Sequence, residues 1–298
     1  MSAPALARDR SGRRYMIPDP APDGPPIECP SVTTILNNIN KPALVNWAAL
    51  EVAKYAYQAR DTWHQLEEQA AIDLLKRAPY RDSRQKMDIG SAVHAAVDAH
   101  IKKGTIQAET EPPTVDIELL PYVAGAARFL DDYVRRVIHS EVTFVNLTYR
   151  YAGTCDLVAE LLPAHQLKER GIDDELADQL GSQICVVDWK TGKRLYPEVA
   201  LQLSAYANNE FACHPDGTRW NIAPVTAAIA VHLDGNAGYT AQPIQLSDQL
   251  FRTFVALRTL QKWRDTLEDS VLGDPLPVRD RGDVNGWLAQ QGVATAAS

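Results

Sequence analysis

Asp188 and Lys190 leave the end of an apolar, largely β-branched run, Ile184-Cys185-Val186-Val187, with Trp189 between them. Such a run, bounded by Gly181-Ser182-Gln183 and by Thr191-Gly192, reads as a buried strand. Side chains alternate along a strand, so Val186, Asp188 and Lys190 share one face, and Val187 and Trp189 the other. A carboxylate and an ammonium therefore emerge side by side from a buried position. Charge buried in this way is costly unless it is paired or bound to metal. Alone, the triplet needs no more than a strand-end ion pair, since about one Asp-x-Lys is expected by chance in a chain of 298 residues.

Three further polar features share the chain with it. His94 sits on a helical stripe one turn after Gly90. Asp156 falls inside the apolar stretch Gly153-Thr154-Cys155-Asp156-Leu157-Val158-Ala159. Gln202 and Tyr206 are one helical turn apart, on one face of the segment after the strand. Each has a simple structural role open to it: a satisfied histidine, a turn cap or partner for Arg150, and hydrogen bonds to a sheet. Their order and spacing together are what those roles leave unexplained.

The elements that must position these residues can be read from periodicity. Residues 1–30 carry Pro4, Pro18, Pro20, Pro22, Pro25, Pro26 and Pro30 and read as an extended arm. Order begins at Ser31, a helix cap, and Pro42 opens a helix through Leu44, Trp47 and Leu50. Arg81–Lys86 reads as a polar link. Ile89, Val93, Val97 and Ile101 then mark a helix ending at Gly104, and residues 116–139 a further one. From residue 141 the period becomes alternating, with strands over 141–149, 153–161, 184–190, 225–233 and 239–246. Helices start at Pro197 and after Ser247. This order predicts an α/β fold: a mixed central sheet of about five strands flanked by helices, preceded by a helical region. The expected divisions are 1–30 (arm), 31–140 (helical region carrying His94), 141–270 (sheet-bearing core) and 271–298 (tail).

Composition excludes some classes. With 45% hydrophobic and 23% charged residues the chain is that of an ordinary globular protein. No run of 18 apolar residues suggests a membrane span, and no apolar leader core is present. Cys29, Cys155, Cys185 and Cys213 have no zinc spacing and fit buried thiols in a reducing cytoplasm. A net charge of −8 argues against coating nucleic acid by bulk charge but leaves room for a local basic groove. Lys86, Lys102, Lys103, Lys193 and Arg194, with Arg77, Arg81 and Arg84, are candidates for such a rim.

Gly153-x-x-Asp156, a strand ending in Asp188-x-Lys190, then Gln202-x-x-x-Tyr206, all preceded by a helix with His94, resembles the PD-(D/E)XK nuclease superfamily. The similarity is to its RecB-like branch, with CRISPR-associated and phage exonucleases. It spans Gly90 to Tyr206 at motif level and extends loosely to Ser31–Leu36 and Lys41–Leu44. The resemblance implies a restriction-endonuclease-like core and metal-dependent hydrolysis of phosphodiester bonds, as an exonuclease in phage or bacterial recombination and repair. It assigns Asp156, Asp188 and Lys190 to catalysis, with His94, Asp156, Asp188 and the Trp189 carbonyl as metal ligands. Gln202 and Tyr206 become DNA-binding or supporting residues, and Glu141 a weaker candidate of the same kind.

Two carboxylates and an imidazole suit Mg²⁺ or Mn²⁺ better than zinc. Family members with an iron–sulfur cluster use one early and three late cysteines. Here none follows Cys213, so no cluster is expected. DNA, and recombination or single-strand-binding proteins, are the partners implied, in a bacterial or infected-host cytoplasm and without a membrane. The alternative is a catalytically inactive nuclease-fold module that binds DNA or protein.

Overall fold

A computed structural model describes residues 6–9, 12–19, 24–105, 115–214, 217–276 and 284–292. The chain divides into two compact units, one through Gln261 and one from Lys262 onward. In the first unit, β1 (Leu6–Asp9), β2 (Gly12–Ile17) and β3 (Ile27–Pro30) form a three-stranded antiparallel sheet. Five helices follow: α1 (Val32–Leu36), α2 (Pro42–Gln58), α3 (Arg60–Trp63), α4 (Glu68–Lys76) and α5 (Ala78–Thr105). Next come α6 (Leu120–Tyr133), β4 (Val134–Asn146), β5 (Tyr151–Leu161), α7 (Ala164–Glu169), α8 (Asp174–Leu180), β6 (Ile184–Lys190) and α9 (Glu198–Ala207). The remaining elements are β7 (Phe211–Cys213), β8 (Arg219–Trp220), β9 (Ala227–Leu233), β10 (Tyr239–Pro243) and α10 (Asp248–Thr266). The second unit takes the end of α10 and a short helix, α11 (Val284–Gln290).

The main sheet has seven strands in the order β10-β9-β6-β5-β4-β7-β8. The pair β6–β9 is parallel and the others are antiparallel, so the sheet is mixed and helices flank it. Two apolar layers cover its faces. One packs Val158 and Val186 with Leu203, Tyr206 and Phe254 from α9 and α10. The other packs Leu157, Val187 and Trp189 with Val93, Val97 and Phe129 from α5 and α6. Alternation along β6 thus divides its side chains as the sequence predicts, and each fully buried apolar side chain contributes about 1.5–3 kcal/mol. Trp189 is locked edge-on against Phe129 at 5.6 Å between ring centroids, which fixes the strand end that carries Asp188 and Lys190.

Local signals behave as their chemistry requires. The Ser31 hydroxyl accepts the Thr34 N–H at 3.0 Å to cap α1, and Ser247 accepts the Leu250 N–H at the start of α10. Pro42 occupies the first turn of α2.

Four expectations are corrected. The stretch read as an extended arm is folded over its described residues, with Tyr15, Ile17 and Cys29 buried against Val145, Ala152 and Phe211; Pro4, Pro20 and Pro22 lie outside the described residues. The polar link 81–86 is helical backbone within α5, because its Arg, Gln and Lys residues favour helix and no glycine or proline interrupts them. The helix expected over 116–139 stops at Tyr133, and β4 begins at once. Register shifts between Val134 and Arg136, and between Val137 and His139, insert extra residues into β4. They let Val134 and Val137, three residues apart, pack in one apolar layer, a spacing that imitates a helix. The sheet also has more strands than expected, since the short β7 and β8 extend it past β4.

Candidate active site

The site forms where β5 and β6 part. Their ladder runs from Glu160↔Ile184 to Leu157↔Val187 and ends there. One step further the backbone pairing is replaced by a side chain: Trp189 N–H donates to Asp156 Oδ2 at 2.8 Å. Parting strands leave a crevice beside the carboxyl end of β6, while β6 continues alongside β9 as far as Lys190↔His232. Trp189 thus holds Asp156 in place through its N–H.

Asp188, 1% exposed, sits at the bottom. Lys190 Nζ lies 2.5 Å from its Oδ2, and Gln202 Nε2 donates to its Oδ1 at 2.6 Å. Gln202 also accepts from Lys190 Nζ at 3.2 Å and donates to the Tyr206 hydroxyl at 3.2 Å. The one-turn spacing of Gln202 and Tyr206 on α9 thus serves a polar relay beneath the strand end. Burial raises the Asp188 pKa, the Lys190 charge opposes that rise, and Asp156 adds to it. Burial works most strongly against the Lys190 ammonium, but the charge and hydrogen bond of Asp188, with the charge of Asp156, together outweigh it and raise the Lys190 pKa.

Gly153 allows this packing. A Cβ there would come within 2.7 Å of Tyr206 Cε1 and 3.0 Å of Val32 Cγ2, so only glycine lets the ring lie against β5.

A second group converges above. His94 Nδ1, on α5, is 3.0 Å from Asp156 Oδ1, on β5. Burial disfavours the imidazolium, yet the hydrogen bond and charge of Asp156, with Asp188 beyond, raise the His94 pKa above its ordinary value. Glu141 completes the group: ligand atoms of His94, Glu141 and Asp156 all lie within 4.8 Å of one another. Asp188, expected as a ligand, is not among them; its carboxylate turns to Lys190 and Gln202 instead.

Glu141 lies between the Ser140↔Leu157 and Val142↔Cys155 pairs, and so beside Asp156. Its φ of 53° is left-handed, a conformation that costs a glutamate about 1–2 kcal/mol. Although open to the cavity, its carboxyl is pushed up to about 7, first by the walls that exclude water and then by the charges of Asp156 and Asp98. Backbone strain, desolvation and like-charge crowding thus coincide at one residue.

His94, Glu141, Asp156, Asp188, Lys190, Gln202 and Tyr206 line one cavity of about 1000 Å³. The folded amino-terminal sheet contributes to its wall through Arg13, whose guanidinium donates to Thr33 Oγ1 at 3.0 Å, and through Tyr15, hydrogen-bonded to Thr154 at 2.9 Å. Sequence reasoning missed both because it set the arm outside the core. It also missed Asp98, one helical turn after His94, which accepts from Ser140 and Lys102, each at 2.6 Å; the i, i+4 spacing was the available signal. Of the expected basic rim, Arg194 lines a smaller neighbouring cavity and Lys102 is ion-paired with Asp98. The side chains of Arg81, Arg84 and Lys86 lie outside the described residues.

No protein-family model matches the chain, and no curated protein matches it significantly. Among the described residues no helix is long and apolar enough to cross a membrane.

Proposed function

We propose that the chain is a metal-dependent deoxyribonuclease of the PD-(D/E)XK superfamily, an exonuclease of the RecB-like kind that acts in phage or bacterial recombination and repair in the cytoplasm. One observation carries this reading: His94, Glu141, Asp156, Asp188, Lys190, Gln202 and Tyr206, drawn from five separate elements, face a single cavity. An ion pair or a core histidine would not require that convergence.

The donor set fits a hard divalent ion. One imidazole and two carboxylates stand within 4.8 Å, a set of hard donors whose neighbouring negative charges a divalent cation would offset. His94, Asp156 and Glu141 would hold Mg²⁺ or Mn²⁺, which supplies Lewis acidity toward a phosphate oxygen and a water. Lys190 does the remaining electrostatic work. Held charged by Asp188 and steadied by Gln202, it can orient the attacking water and offset charge that develops on phosphorus oxygens. The Trp189 N–H fixes Asp156 so that its other oxygen faces His94. Tyr206 and Gln202 set the height of Asp188 beneath the lysine.

Titration of Mn²⁺ into the protein by calorimetry, beside cleavage of linear DNA, tests the assignment. Wild type should bind and cleave. Asp156→Ala should do neither, and Lys190→Ala should bind the ion and fail to cleave. Full cleavage by Asp156→Ala overturns it.

A further inference from the structure

A second cavity of about 250 Å³ adjoins the first, and Thr33, Asn37, Lys190 and Gln202 line both. Its outer wall is the segment 191–197 between β6 and α9. There Arg194 lies over the ring of Tyr196, 4.9 Å from guanidinium carbon to ring centroid, and Tyr196 is 48% exposed. Three basic groups line this cavity: Lys41, Lys190 and Arg194. Lys41 is tied to Glu198 at 3.0 Å, whereas Arg194 forms no ion pair among the described residues. The segment is anchored, because the Gly192 carbonyl is hydrogen-bonded to the His232 ring on β9.

A lone exposed aromatic is ordinary. This one walls a cavity also lined by Lys41, Lys190 and Arg194, a local excess of cations on a chain of net charge −8. We propose that this annex receives the nucleotide next to the scissile phosphate, with its base stacked on Tyr196 and its phosphate met by Arg194. The proposal rests on the nuclease reading above and narrows its substrate to a single strand or an unpaired end.

Three observations support it. Aromatic faces bind any base by stacking, and arginine adds both charge and a planar contact. The volume, about 250 Å³, is below the roughly 300–1000 Å³ of pockets that enclose whole ligands, which leaves room for a single base with its sugar and phosphate partly open to solvent and none for a duplex. Stacking needs a base free of its partner, so a paired end must open before it can enter.

The test uses the full chain and oligonucleotides carrying 2-aminopurine at successive positions from one end, bound in EDTA so that nothing is cut. Wild type should quench one position and bind single strands more tightly than blunt duplex. Tyr196→Ala should lose that quenching and about tenfold in single-strand affinity, the size expected for one stacked base. Tyr196→Phe should retain both, and Arg194→Ala should flatten the salt dependence of binding by about one phosphate contact. With Mg²⁺ added, the loss in Tyr196→Ala should fall on KM rather than kcat. Cleavage by wild type together with unchanged binding, quenching and KM in Tyr196→Ala overturns this proposal alone. No binding and no metal-dependent cleavage by wild type overturns the nuclease reading and this proposal with it.

Discussion

Replacing Glu141 should separate two roles of one residue. Its φ of 53° costs an L-residue about 1–2 kcal/mol that glycine does not pay. Glycine loses about 0.5–1 kcal/mol in backbone entropy relative to alanine. Both Glu141→Ala and Glu141→Gly remove the carboxylate and its repulsion with Asp156 and Asp98. The difference between them isolates the backbone, and Gly should be the more stable by roughly 0.5–1 kcal/mol. For a chain of this size that corresponds to about 1–3 °C in thermal midpoint. Scanning calorimetry in EDTA reads it directly. The same scans with Mn²⁺ read the second role. An ion at a hundred times its dissociation constant stabilises the wild type by about 2.7 kcal/mol, and both variants should lose most of that gain. Alanine as stable as glycine in EDTA would refute the strain argument. Undiminished stabilisation by Mn²⁺ in either variant would refute Glu141 as a ligand.

Lys190→Met leaves Asp188 buried beside Gln202 without its cation and should cost about 3–5 kcal/mol. Adding Asp188→Asn should recover most of that loss in a denaturant titration, and additive losses would contradict the pairing. Gly153→Ala drives a methyl into the Tyr206 ring and should destabilise by about 1–3 kcal/mol while slowing cleavage; unchanged stability and rate would mean that the ring has room to move. All four cysteines are free and buried, and burial pushes the Cys29 thiol up to about 11 despite Arg258 and Arg150 nearby. Native protein at pH 8 should therefore react slowly with a thiol reagent and expose four thiols in denaturant; one fast native thiol would contradict that burial.

How far the sequence reaches depends on what each feature rests on. The alternation in β6 was legible because Val186, Val187, Asp188 and Trp189 reveal a two-sided strand through hydrophobicity alone. The relay Asp188–Gln202–Tyr206 was half legible: one-turn spacing placed the last two together, but not on Asp188. The contact between His94 and Asp156 joins residues 62 apart and needs the packing of α5 over the sheet. The place of Glu141 among the possible ligands was hidden, since a left-handed residue leaves no mark in composition. Prolines misled at the amino terminus. They break helices, yet they permit an edge strand such as Ile27–Pro30, which pairs on one side with the central strand Gly12–Ile17.

The most direct test of the central claim is digestion of end-labelled linear DNA and closed circular DNA with Mg²⁺, Mn²⁺ or EDTA, using wild type beside Lys190→Ala. The account predicts loss of linear DNA only, dependent on metal and absent in the variant. Equal cleavage by the variant, or cleavage in EDTA, would contradict it.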